Sequence, residues 1–177
     1  MKELPILFNT EMVKAILAGN KTQTRRLKAG WEVGDVLYVR ETFRCIENET
    51  PCIQYKADLK EFWDFNSTDI YSKVCDLINW QEESGKKDKW IPSIHMPKEF
   101  SRIRLKVTEV RTERLQEITE DDAEAEGIDF LRYLSDTDET LSPIKLFCAL
   151  WLSCAKPGFR WADNPDVIVT KFERVKA

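Results

Sequence analysis

Apolar and polar residues alternate along this chain in short runs, and each run predicts an element. Met12, Val13, Ile16 and Leu17 recur at helical spacing, forming the apolar face of a helix. Asn9 or Thr10 caps it, it runs through Ala18, and Gly19 stops it. Val33-Gly34-Asp35 predicts a turn into a strand over residues 36–43. Ile53, Tyr55 and Ala57 alternate with Gln54 and Lys56, which predicts a second strand. The clearest strand holds Ile103, Leu105 and Val107 interleaved with Arg102, Arg104, Lys106 and Thr108, one face buried and one basic. Thr119 caps a short acidic helix ending at Gly127, and its first turn, Glu120-Asp121-Asp122, suits the positive end of the helix dipole. Ser142-Pro143 opens another helix, with Phe147, Leu150, Trp151 and Cys154 as its apolar stripe. A last strand covers about residues 167–175. Between residues 59 and 89 the pattern is mixed, charged and aromatic, which predicts an insertion with helix around residues 70–80. Strands separated by single helices and long loops make the fold class α+β, with a mixed sheet or small barrel.

Composition narrows the class. With 177 residues, 42% of them hydrophobic and 33% charged, the chain is long enough for one globular domain carrying insertions. The apolar run from Val13 to Ala18 is too short to span a bilayer and no leader pattern is present, so a soluble cytoplasmic protein with no membrane partner is expected. Cys45, Cys52, Cys75, Cys148 and Cys154 are odd in number and contain no Cys-x-x-Cys, and His95 is the only histidine. Reduced, partly buried thiols, no metal and no cofactor are therefore expected. A net charge of −4 and a pI near 5.3 argue against nonspecific duplex binding. The charge is uneven: residues 115–140 are strongly acidic, whereas residues 1–44, 98–114 and 141–177 are basic. That leaves room for a local basic cleft that recognises one nucleotide or a short single strand.

The candidate chemistry lies just past the first helix, in Gly19-Asn20-Lys21-Thr22-Gln23-Thr24-Arg25-Arg26. No apolar residue occurs after Gly19, so a basic connector outside the core is expected. Its amine, hydroxyls and guanidinium groups suit an anion; an amine with a lowered pKa can also activate a hydroxyl nucleophile. The competing explanation is that cations past a helix C-terminus are favoured by the dipole and that Thr is ordinary in turns. Arg40 and Glu41 are neighbours in an apolar strand and point to opposite faces, so one faces a pocket, or the two serve a cross-strand ion pair and solvent. His95 reads as a hydrogen-bonded structural histidine or, with Met96 held extended by Pro97, as part of a pocket wall. The alternating Arg102, Arg104 and Lys106 suit either phosphates or solvent. Trp63, Trp80 and Trp90 suit either base stacking or packing.

The order of these features resembles a known family. The motif Gly19-x-Lys21-x-x-Thr24-x-Arg26, the Gly34-Asp35 turn into Val36-Leu37-Tyr38-Val39-Arg40-Glu41-Thr42, Ile94-His95-Met96-Pro97, Arg114-Leu115-Gln116, and the Thr119-Glu120-Asp121-Asp122-Ala123-Glu124-Ala125-Glu126-Gly127 helix are together similar to the ASCH domain. Of these, the segments at 34–42, 94–97 and 114–116 are similar to a longer branch of it common in phages and prophages. The resemblance implies a single ASCH domain over residues 1–177, with insertions at about 59–89 and 129–142. It also implies a PUA-like mixed β-barrel flanked by helices, with a cleft for RNA or a modified nucleoside as partner. Arg25, Arg26, Arg40, Glu41 and His95 are the candidate ligand-binding residues. One ASCH subgroup hydrolyses N(4)-acetylcytidine through a Lys, a Thr and a Glu; matching its motif places these at Lys21, Thr24 and Glu126. The chain departs from that subgroup in its length and in having Gly127 after the Glu. The functions in view are thus RNA or nucleoside binding beside Lys21 and Thr24, amide hydrolysis of an acylated nucleoside, or a non-catalytic protein-interaction module. Nothing in the sequence specifies an oligomeric state.

Overall fold

A computed structural model describes residues 1–63, 65, 67–133 and 141–175, with the side chains of residues 48 and 133 outside the description. Part of the insertion expected at 129–142, residues 134–140, therefore lies outside the described residues. Among the described residues the fold is mixed α+β, with four α-helices and two sheets. The strands are β1 (Glu3–Leu7), β2 (Gln23–Arg26), β3 (Val36–Arg40), β4 (Phe43–Asn48), β5 (Thr50–Tyr55), β6 (Glu61–Phe62), β7 (Arg104–Arg114) and β8 (Asp166–Val175). The helices are α1 (Thr10–Ala18), α2 (Thr68–Glu83), α3 (Glu120–Ala125) and α4 (Pro143–Cys154). One sheet has five strands in the order β1-β3-β7-β8-β2, and the other has three in the order β4-β5-β6. No closed barrel is found among the described residues, and none of the helices is long and apolar enough to cross a membrane.

The chain divides into two compact units. Among the described residues the first holds 1–4, 15–37, 105–133 and 141–175. Its core gathers Leu115, Ile118, Ala123 and Ile128 around α3, Leu146 and Phe147 from α4, and Val167 and Val169 from β8. Strand alternation explains the pair on β8, because residues two apart share a face. On α4 the buried stripe is Leu146 and Phe147, with Leu150 and Trp151 packed against it, while Cys154 is exposed. β2 lies antiparallel to β8, with Gln23 opposite Lys171, Thr24 opposite Thr170 and Arg25 opposite Val169.

The second unit holds residues 5–14 and 38–104. The strand expected over residues 36–43 divides into β3, which ends at Arg40, and β4, which starts at Phe43. β4 and β5 form an antiparallel hairpin that reverses at Glu49, whose φ of 56° is left-handed. β6 extends the hairpin, with Ile53 opposite Phe62. The described residues between 59 and 89 belong to this unit. Ser67 caps α2 by accepting from the amides of Asp69 and Ile70, and α2 contributes Val74 and Ile78 to the core beside Phe43, Ile53, Tyr55, Ile91, Met96 and Phe100. Phe43 and Phe100 meet edge to face with ring centroids 5.7 Å apart, both fully enclosed. Replacing Phe100 with Ala is expected to cost about 3–5 kcal/mol in urea unfolding, the usual loss for emptying a buried phenyl site. A cost under about 1 kcal/mol would show that this cluster does not hold the unit.

Candidate functional site

The polar stretch after α1 does not lie outside the core. Lys21, Gln23, Thr24 and Arg25 are all buried, and residues 23–26 are a strand rather than a connector. Two backbone features place them. The amides of Asn20 and Lys21 both donate to the Ala15 carbonyl (2.9 and 3.1 Å) while Gly19 turns with a φ of 85°, which closes α1. Lys21 then forms an isolated antiparallel bridge with Glu126, and the Thr22 amide donates to Ala125 O at 2.9 Å. Thr119 opens α3 by accepting from the Asp122 amide, and Glu126 closes it. Gly127 follows with a φ of 74°. A Cβ at position 127 would lie 2.7 Å from Lys21 Cβ and 2.8 Å from Ala15 Cβ. The glycine that departs from the hydrolase subgroup is therefore what lets this segment approach Lys21 so closely.

The Lys21 ammonium is satisfied on every side. Its Nζ donates to Gln23 O (2.9 Å), Glu126 O (2.8 Å) and Glu126 Oε2 (3.0 Å), matching three protons with three acceptors. Burial pulls its pKa below the ordinary 10.5, Glu126 opposes that shift, and the Arg26 and Arg25 charges add to it. Glu126 uses its other oxygen, Oε1, to accept from Arg25 Nη1 at 3.1 Å. Arg25, with no exposed side-chain surface, also donates to Glu113 Oε1 through Nε and Nη2 and to Asp122 Oδ2 through Nη2. Arg111 closes the network on Glu113 Oε2 (2.9 Å), Asp122 Oδ2 (3.1 Å) and Glu109 Oε1 (2.7 Å). These cations face carboxylates at hydrogen-bonding distance, so the cluster is compensated within itself.

The structure thus brings Lys21, Arg25 and Glu126 together. Thr24 is buried on the same short strand, opposite Thr170, and alternation turns it away from the face that carries Gln23 and Arg25. No hydrogen bond joins its hydroxyl to Lys21 or Glu126 among the described residues. Arg26 is half-buried; burial lowers its pKa, with Glu126 and Cys154 acting in the opposite sense. Arg40, Glu41 and His95 belong to the second unit. There, Arg40 Nε donates to Met96 O at 2.8 Å and Nη2 to Ile94 O, fixing the segment that carries the exposed His95. Glu41 is buried and takes a bidentate contact from Arg102, 2.9 Å from Nε to Oε1 and 3.0 Å from Nη2 to Oε2. Burial raises the Glu41 pKa although Arg102 opposes it. Arg102 also binds Asp58 at 2.9 Å and stacks over Tyr55 at 4.0 Å, so this member of the expected basic face is committed to internal partners.

Sequence reasoning missed Gln23, Arg111, Glu113 and Asp122. The signals were present: Gln23 and Arg25 share a strand face, as do Arg111 and Glu113, and Asp122 and Glu126 are four apart on one helical face. Comparison of the chain with protein-family models, with curated proteins and with solved structures found no match in any of the three. Among the described residues no group of three or more metal-binding side chains is clustered.

Two outcomes follow from this geometry. Gly127→Ala is expected to destabilise the fold by about 2–4 kcal/mol in thermal or urea unfolding, through overpacking and a disfavoured positive φ; an unchanged midpoint would contradict the close approach. Acid sensitivity is also expected. Burial pushes the Asp122 carboxyl up, but Arg25, Gln23 and Arg111 outweigh it and hold its pKa below the ordinary 3.8. The stabilisation it provides is present above that value and is lost as pH falls through the folded pKa. Asp122→Asn should therefore flatten the fall in unfolding free energy below about pH 4, and an unaltered slope would exclude Asp122 as a source of it.

Proposed function

We propose that this chain is an ASCH-type, PUA-like domain whose five-stranded sheet is the counterpart of the family's barrel, and that it hydrolyses the amide of an acylated nucleoside such as N(4)-acetylcytidine. One observation carries the reading. Lys21 and Glu126, 105 residues apart in sequence, meet at 3.0 Å in a buried site, and they are two of the three residues that the resemblance to the hydrolase subgroup assigns. Burial favours the neutral amine that a base must supply, and the carboxylate orients that amine.

In the proposed reaction the Thr24 hydroxyl attacks the acyl carbon and passes its proton to the neutral Lys21 amine. The resulting ammonium gives that proton to the departing exocyclic nitrogen as the C–N bond breaks. Water then cleaves the acyl-threonine ester, releasing the carboxylic acid and restoring the hydroxyl. For this to proceed, substrate binding must both free Nζ from an acceptor and bring the Thr24 hydroxyl, which alternation turns away from the face of Gln23 and Arg25, within its reach. A small uncharged substrate suits the site better than a polyanion, because Arg25 and Arg111 already face carboxylates.

The test is incubation of the purified protein with N(4)-acetylcytidine, with product separated by chromatography. Turnover is expected, with kcat/KM lowered at least about 100-fold in Lys21→Met and in Thr24→Val. Absence of turnover by the wild-type protein on N(4)-acetylcytidine and on longer-chain acyl cytidines would sink the reading.

A further inference from the structure

Thr24 lies on a face of the sheet that the ionic network does not use. In the pairing of β2 with β8 it stands directly opposite Thr170, so the two side chains share that face with their Cβ atoms about 4.5–5.5 Å apart. The connection from β2 to β3 carries Trp31, whose indole Nε1 donates to the Thr170 hydroxyl at 2.9 Å. The edge of the indole is thereby anchored on the immediate neighbour of Thr24. Of the two threonines, Thr24 keeps a sliver of exposed surface, 4%, and Thr170 none. A ligand on this face meets Thr24 and Trp31, and Thr170 acts only through the ring it holds.

The main chain beside Trp31 is fixed as well. Asp35 Oδ2 accepts from the Glu32 amide at 3.1 Å, Asp35 Oδ1 accepts from the Lys2 amide at 2.7 Å, and the Asp35 amide donates back to Glu32 O at 3.1 Å. Yet Trp31 is only half-buried. A large apolar ring held in one orientation with part of its surface in water suits a ligand, because covering the rest removes apolar area while little ordering remains to be lost. The indole N–H is already spent on Thr170, so what Trp31 offers a ligand is its ring rather than a hydrogen bond. The complementary group is a flat, conjugated, uncharged ring.

We infer that Trp31 is the specificity-determining residue of the site: it stacks the heteroaromatic ring of the substrate and so sets the amide beside Thr24. An acyl group on an exocyclic ring nitrogen is conjugated with that ring and coplanar with it. Stacking the ring therefore also fixes the plane of the acyl carbon, and the site selects amides of heteroaromatic amines over amides of aliphatic amines. Thr170 is a positioning residue that orients Trp31. The inference rests on the hydrolase reading for the amide, whereas ring binding on Trp31 needs no turnover.

Two measurements test it: equilibrium dialysis of cytidine, and steady-state kinetics on N(4)-acetylcytidine. Trp31→Leu should weaken cytidine binding and raise KM at least about 10-fold. Trp31→Phe, which keeps an aromatic face, should recover most of that loss, a rescue that a purely structural role for the indole hydrogen bond does not produce. Should Trp31→Leu fail to fold, the indole N–H resonances of the wild-type protein decide: cytidine should shift that of Trp31, assigned as the signal missing from Trp31→Phe, and leave those of Trp80 and Trp161 in place. Turnover with KM unchanged in Trp31→Leu, or cytidine binding that leaves the Trp31 resonance unmoved, would overturn the inference and spare the hydrolase reading. Cytidine bound on Trp31 without any turnover would sink the hydrolase reading and uphold the ring site. No binding at millimolar cytidine would overturn the inference outright.

Discussion

An ammonium taken out of water must find an acceptor for each proton or lose its charge, and the first unit is organised by that requirement at Lys21. Two of the three acceptors are main-chain carbonyls, Gln23 O and Glu126 O, so they are present only if β2 and the end of α3 lie where they do. The third, Glu126 Oε2, belongs to a carboxylate whose other oxygen holds Arg25. Through Arg25 the requirement spreads to Glu113 and Asp122, and from those to Arg111. A buried ionic network is weak evidence for net stability, because desolvation offsets much of the attraction. It is a strong constraint on geometry, since removing one partner leaves the others uncompensated.

The same requirement gives the site its chemical character. Burial favours the neutral amine while Glu126 favours the ammonium, and these opposed influences bear on one nitrogen. Such a group suits proton transfer better than anion capture. Lys21 and Arg25 are held among internal acceptors, which makes the motif a poor basic patch even though it reads as one in sequence. Gly127 belongs to this arrangement, because any side chain there would meet Lys21 Cβ.

Much of the local structure was legible in the residues. The helix stop at Gly19, the Thr119 cap, the Ser142-Pro143 start and the alternation around Leu105 all correspond to described elements. These signals are local: a cap or a periodicity needs only its own neighbours. What the sequence hid was the burial of residues 21–25. A stretch lacking apolar residues is expected in water, and it enters the interior here only because Glu126, Asp122 and Glu113 arrive from distant segments to match it. Compensation of that kind is a property of pairs and leaves no periodic trace. Strand β1 was likewise unmarked, and the part of α2 in a core was hidden because its apolar positions, Val74 and Ile78, are spread among polar ones.

The central claim is that Lys21 carries an amine whose protonation is poised by burial against Glu126. Its most direct test is a nuclear magnetic resonance titration of the Lys21 side chain, following the 13Cε resonance as pH is raised in the folded protein. The account predicts a midpoint below the ordinary 10.5, moving lower still when Glu126→Gln removes the opposing carboxylate. A midpoint at or above 10.5, unmoved by Glu126→Gln, would contradict it.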